Sequence, residues 1–343
     1  MPKPSSARYR YALLACAGCF LAALYVSLTN GTFDISVEEV LKTLLRIDPV
    51  PEHDLVIFEY RLPRIVAGAL VGFGLGAAGA VIQGITRNGL ADPGILGINA
   101  GAGAAIVLFV FFFRGQFGGR DLLGMLAMPI FGLAGGLLAA AWVYWLAWRN
   151  GTLDPQRLIL VGIAVGYGLG ALALYVSLKM NPQDFEMAAV WLAGSIWNSN
   201  WKSIAALLPW FLVLIPAVVR GAHAIDLLQL GEDRATSLGV PAEKVKHLML
   251  LGSIGITSVC VSVSGNIGFV GLLAPHIARR LAGIRHSRII PLSGAVGMLL
   301  VTVSDFIAKT VFAPVELPVG IVTAIIGVPY FAYLLYKAKG VNG

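Results

Sequence analysis

The side chains able to do chemistry in this chain are few, and most stand in apolar surroundings. Asp305 and Lys309 lie one helical turn apart in a hydrophobic run. A pair at that spacing can neutralise itself inside a membrane, or Lys309 can snorkel towards the outer surface. Arg61 and Arg64 bracket Pro63 just before an uncharged run from Ile65 to Thr86. They fall at an outer helix end, where positive charge is disfavoured. Headgroup anchoring and contact with acidic groups on an external protein are both open on the residues alone. His276 follows Pro275 and lies three residues before Arg279. A proton relay is one reading of a membrane histidine, but so near Arg279 it reads better as a hydrogen-bonded group at the interface. Pro275 itself removes a backbone donor and bends its helix.

Enzymatic strings fail on context. Gly74, Gly76 and Gly79 spell the dinucleotide fingerprint, yet they sit within an apolar span and not between a strand and a helix. No Walker A, H-E-x-x-H or G-x-S-x-G string occurs. Cys16, Cys19 and Cys260 lie in apolar runs and read as packing residues, without a second pair or His cluster to make a zinc site. The chain is expected to be non-catalytic, with no metal or cofactor of its own.

The elements that position these residues are membrane helices. Hydrophobic residues make up 57% of the 343 and charged ones 13%, about half the charged share of a soluble domain. This predicts a single all-α integral membrane domain over 1–343. Apolar runs at 11–28, 65–86, 93–113, 122–148, 158–178, 203–219, 247–263, 267–282, 289–310 and 319–336 predict ten transmembrane helices. Gly68, Gly72 and Gly76 recur every fourth residue, a stripe along which a neighbouring helix approaches closely. Residues 29–60 read as a polar loop. The Trp-rich segment at about 187–200 reads as a short external surface helix. With both termini in the cytoplasm, sixteen of the 25 Lys and Arg fall in cytoplasmic segments, which accounts for the net charge of +7 without a nucleic-acid partner.

One cytoplasmic stretch, at about 224–240, mixes apolar and charged residues, with Gly231 and Gly239 as breaks. It predicts two short helices joined by a glycine turn. Leu227, Leu228, Leu230 and Leu238 would be free to dock on a partner, or the segment would simply lie on the membrane surface.

Taken together, Arg61-Leu-Pro-Arg64, the stretch Gln83–Gly103, Leu230-Gly231 through Val240, Phe269 through Arg279, and Glu316-Leu-Pro-Val-Gly320 through Pro329 resemble the FecCD family. These are permease subunits of ABC importers for ferric siderophores, haem and cobalamin, and the similarity runs from about residue 11 to 337. The resemblance implies the type II ABC importer permease fold, with ten helices per subunit, in a bacterial cytoplasmic membrane. It implies a second permease subunit, identical or related, two ATPase subunits that carry the ATP, and an extracytoplasmic binding protein that delivers a ferric siderophore, with haem or cobalamin as the alternative cargo. Arg61, Arg64 and Lys309 would contact acidic residues of the binding protein, Lys309 replacing an arginine common in the pattern. Leu227, Leu228, Leu230, Gly231, Ala235, Leu238 and Gly239 would belong to the coupling helices seated on the ATPase. Asn88 and Leu90 resemble the cytoplasmic gate, with residues 150–157 as a second candidate; Gly89 stands where the family usually has proline. The competing class is a proton-coupled carrier relaying through Asp305, Lys309 and His276.

Overall fold

A computed structural model of the chain describes residues 6–31, 35–47, 50–113, 122–149, 152–313 and 315–339. Asp34 and Asp48 of the expected polar loop, and Asn150 and Gly151 of the second gate candidate, lie outside the described residues. The chain is almost wholly helical. In order come α1 (Ser6–Thr29), α2 (Val37–Leu44) and α3 (Pro51–Asp54), which runs through a π-helical stretch (Leu55–Arg61) into α4 (Leu62–Thr86). A 3₁₀ turn (Pro93–Leu96) leads to α5 (Ile98–Phe113) and α6 (Leu122–Ala147). A two-strand hairpin, β1 (Trp148–Arg149) and β2 (Thr152–Leu153), precedes α7 (Pro155–Ser177), α8 (Pro182–Ala193) and α9 (Trp201–Leu228). Last come α10 (Glu232–Ser237), α11 (Ala242–Ser264), α12 (Val270–Ala282), α13 (His286–Thr310) and α14 (Val319–Lys339).

Among the described residues, seven helices are long and apolar enough to cross a membrane: α1, the continuous helix Pro51–Thr86, α6, α7, α9, α11 and α13. The segments Ile98–Phe113 and Val319–Leu334 are shorter apolar helices. The run expected to span at 267–282 holds the 13-residue α12. At 1.5 Å per residue that is about 20 Å, short of a hydrocarbon core of about 30 Å. Length and composition therefore give seven spans, and each of the ten expected runs nonetheless contains a helix.

The centre of the bundle follows from the small residues. A Cβ on Gly72 would fall 2.3 Å from the Gly297 carbonyl oxygen, and one on Gly297 would fall 2.2 Å from that of Gly72. The two backbones touch, so α4 and α13 pack as a closely joined pair. Gly79, the last glycine of the fingerprint string, faces the Gly271 carbonyl of α12 in the same way. These glycines serve helix packing and leave no room for a nucleotide. The apolar windows of α4, α11 and α13 are 67–78% buried, whereas those of α1 and α7 are 17% buried. The first three form the core, and the other two lie at its periphery with most of their surface exposed.

Pro275 shows how α12 is fixed. Its missing N–H leaves the Gly271 carbonyl without its helical donor. The Gln83 side-chain amide of α4 donates there instead, at 3.3 Å, and to Leu272 O. Arg279, one turn beyond, donates to Gln83 Oε1.

Two segments differ from expectation. The polar loop at 29–60 is partly helical: α2 carries a capping box in which the Ser36 hydroxyl accepts from Glu39 N and Glu39 accepts from Ser36 N. The external helix lies earlier than expected, at Pro182–Ala193, started by an Asn181 cap on Asp184 N. Residues 194–200 are not a surface helix. Ser195 N donates to Ser264 O at 2.8 Å, Gly320 N donates to Gly194 O at 3.0 Å, and Ile196 is buried, so this stretch is stitched to the α11–α12 break and the start of α14.

Candidate functional site

The ions gather at the two ends of the bundle. At the start of α4, Arg64 turns inward. Its Nε lies 2.9 and 3.0 Å from the two Asp305 oxygens, its Nη2 is 2.9 Å from Oδ1, and its Nη1 is 2.7 Å from Glu316 Oε2. The Arg64 and Asp305 side chains are 12% and 8% exposed, and Glu316 is 27% exposed. The planar fork of arginine suits this bidentate grip. Asp305 is therefore neutralised by an arginine from another helix and not by Lys309 one turn along its own. Lys309 Nζ instead donates to Ser27 O at 3.1 Å, and Arg61 donates to Leu28 O. Both acceptors are in the last turn of α1, where carbonyls lack helical donors and the helix dipole favours cations.

Arg61, Arg64 and Lys309 thus surround one cavity of about 490 Å³, which Glu59, Trp197 and Asn200 also line. Of the two readings of the arginines, lipid anchoring is disfavoured for Arg64, which is held within the protein. The sequence brings the three cations and Asp305 into view but gives no sign of Glu316 as a second carboxylate on Arg64. The relay suggested by Asp305, Lys309 and His276 is not assembled. Arg279, one turn from His276, meets Gln83, which stands about 28 Å along α4 from Arg64 at 1.5 Å per residue.

At the opposite end lies the α9–α10–α11 connection. The first of the two expected short helices is the last turns of α9, and the second is α10, joined by Gly231 at φ +111°. Only glycine accepts that angle easily. Leu228 and Ala235 are buried, packed with Ala242 in a small cluster of their own. They anchor α10, so Leu228, expected from the sequence to be free to dock on a partner, faces inward, as does Ala235 of the same expected coupling set. Leu230 and Leu238 are 51% and 61% exposed and do face outward, and Leu227 is half-buried. Gly239, at φ +85°, ends the element.

Nearby contacts that the sequence did not announce hold this end together. Gln229 Nε2 donates to Gly84 O at 2.7 Å, and Asp226 Oδ1 accepts from His286 N at 2.8 Å while lying 2.7 Å from His286 Nδ1. They tie the end of α9 to α4 and α13. Asn88 and Leu90 sit in the turn after α4, where Leu90 N donates to Asn88 Oδ1 at 2.9 Å; Asn88 is exposed and Leu90 half-buried. In the same turn, Asp92 Oδ1 accepts from Gly94 N at 2.8 Å, and burial pushes its carboxyl up to about 6.

A charge-poor helical bundle with seven long apolar helices among its described residues and ion clusters at its ends is an integral membrane protein, and its chain belongs to the FecCD transport family, whose model matches residues 19–337. It is 53% identical over 330 residues to the iron-uptake system permease protein FeuC of Bacillus subtilis (strain 168), covering 96% of this chain and 98% of that protein. It is 44% identical over 330 residues to the iron(3+)-hydroxamate import system permease protein FhuG of the same organism, covering 95% and 98%. A metal-chelate type ABC transporter in an inward-facing conformation superposes with a TM-score of 0.81 at 29% identity, over 95% of this chain and 98% of that one.

Proposed function

We propose that this chain is the non-catalytic permease subunit of an ABC importer that moves ferric siderophores into the cytoplasm by alternating access. ATP is bound and hydrolysed by two separate ATPase subunits, and this chain brings no cofactor site. The observation that carries the reading is the glycine-bracketed α10, which fastens Leu228 and Ala235 inward and turns Leu230 and Leu238 outward. That arrangement suits an element pushed by a cytoplasmic motor better than a loop resting on lipid. The near full-length similarity to iron-import permeases supports the cargo.

In this reading α5, α12 and α14 complete ten crossings, both termini are cytoplasmic, and α10 with Leu227, Leu230, Gly231, Leu238 and Gly239 is the coupling element. Asn88 and Leu90 belong to the cytoplasmic gate. The cavity at Arg61, Arg64 and Lys309 is the dock for an extracytoplasmic binding protein, whose carboxylates would compete with Glu316 and the α1 carbonyls for the three cations. A second permease subunit pairs with the sparsely buried faces. The carrier alternative is disfavoured because Arg64 already holds Asp305, the acid on which its relay would rest. Uptake of radioiron-labelled chelates in cells with an intact or a catalytically dead ATPase tests the reading.

A further inference from the structure

Two glycines in left-handed backbone, Gly231 and Gly239, flank α10 and would let it swivel by itself. One buried cation opposes that. Lys246, in the second turn of α11, is 2% exposed. Its Nζ lies 2.9 Å from Glu232 Oε2, the first residue of α10, and it also bonds Glu243 Oε1. A buried ammonium is costly unless it is paired, so both carboxylates are held closely. The other oxygen of Glu243 reaches across to the α6–α7 hairpin and accepts from Leu153 N at 3.4 Å. One residue after Lys246, the His247 ring lies against Trp148 of the opposite strand, with centroids 4.7 Å apart. The first turns of α11 therefore grip α10 on one side and both strands of the hairpin on the other.

We propose that Lys246 is a positioning residue that transfers displacement of α10 to the β1–β2 hairpin, and through it to α7. The inference rests on the reading of α10 as the element an ATPase drives. Glu232, Lys246 and Glu243 form a three-member ionic joint, and α7, whose Asp154 cap follows Leu153 directly, is the helix it steers. With its window 17% buried, α7 is among the helices with fewest internal restraints.

The test is hydrogen–deuterium exchange on the complete transporter in nanodiscs, with and without ATP–vanadate trapping. In the parent, trapping changes exchange both in peptides spanning 229–241 and in peptides spanning 152–158. In Lys246→Met the first change remains and the second disappears. Lys246→Arg, which keeps the charge, retains both. Glu232→Gln cuts the same joint without leaving two carboxylates facing each other, and gives the Lys246→Met result if that variant fails to assemble. Iron delivered per ATP hydrolysed falls by roughly 2- to 30-fold in the cut variants, the range of such linkages. A merely structural lysine would leave the hairpin's response to trapping intact. Persistence of the 152–158 change in both cut variants overturns the joint while leaving the importer reading in place. If trapping alters neither segment in the parent, the ATPase-driven reading fails, and the joint with it.

Discussion

Replacing Arg64 by alanine leaves the Asp305 carboxylate 8% exposed and without its bidentate partner. Removing one member of a buried pair costs about 3–5 kcal/mol. Glu316 adds little to that figure, since it is 27% exposed and partly open to water; a pair of that kind contributes about 1 kcal/mol or less. Lys309, one turn from Asp305, offers partial compensation and places the expected loss near the lower end, about 3 kcal/mol. The double variant Arg64→Met/Asp305→Leu removes both charges and recovers most of the loss, because apolar replacement of a buried pair is often neutral. The assay is unfolding of purified protein in mixed micelles, followed by tryptophan fluorescence, for the parent, each single variant and the double. A coupling energy near zero, or an Arg64→Ala variant within about 1 kcal/mol of the parent, would refute the reasoning. The same numbers set how docking must be tested, since charge reversal at Arg64 would confound lost binding with lost structure.

Other consequences can be checked separately. Arg61→Glu weakens docking of the binding protein in a salt-controlled assay while insertion is unchanged; equal affinity would remove Arg61 from the dock. Leu230→Asp with Leu238→Asp abolishes co-purification of the ATPase yet leaves the fold intact, because both side chains face outward. Gly72→Ala forces a Cβ to 2.3 Å from a backbone oxygen that cannot rotate away, so it destabilises the α4–α13 pair by about 1–3 kcal/mol or more. The Asp92 carboxyl is raised to about 6 from an ordinary 3.8, so the fold favours its neutral form. Stability from this group is full below about pH 4 and is lost as pH rises to about 6, by at most about 3 kcal/mol. Asp92→Asn keeps the cap on Gly94 N and flattens that loss, which paired melts at pH 4.5 and 7.5 would reveal.

How much of this was legible in sequence depends on how local each cause is. The glycines of α4 recur at helical spacing, so the close approach of a neighbour followed from one segment, although its identity as α13 did not. The glycine breaks around α10 were readable for the same reason. The Asn181-Pro182 start of α8 and the Ser36/Glu39 capping box are also local signals, but the Trp content of one segment and the polarity of the other point away from them. The partner of Asp305 was not legible. A spacing of four suggested Lys309, while the actual partner is 241 residues away and wins by planar, two-bonded geometry that a lysine cannot offer. Leu228 looked free to dock because apolar residues in a polar loop do not announce which of them face inward. Lys246 looked like one more positive-inside charge, and its burial depends on the position of Glu232 across a turn.

The most direct test of the central claim is radioiron uptake into proteoliposomes holding this permease with its ATPase and binding protein. Tris-hydroxamate, tris-catecholate and citrate chelates would be offered in turn. At least one chelate is expected to accumulate in a manner that needs internal ATP, stops with a catalytically dead ATPase and ignores an uncoupler. Uptake that persists without hydrolysis but collapses with the uncoupler would contradict it.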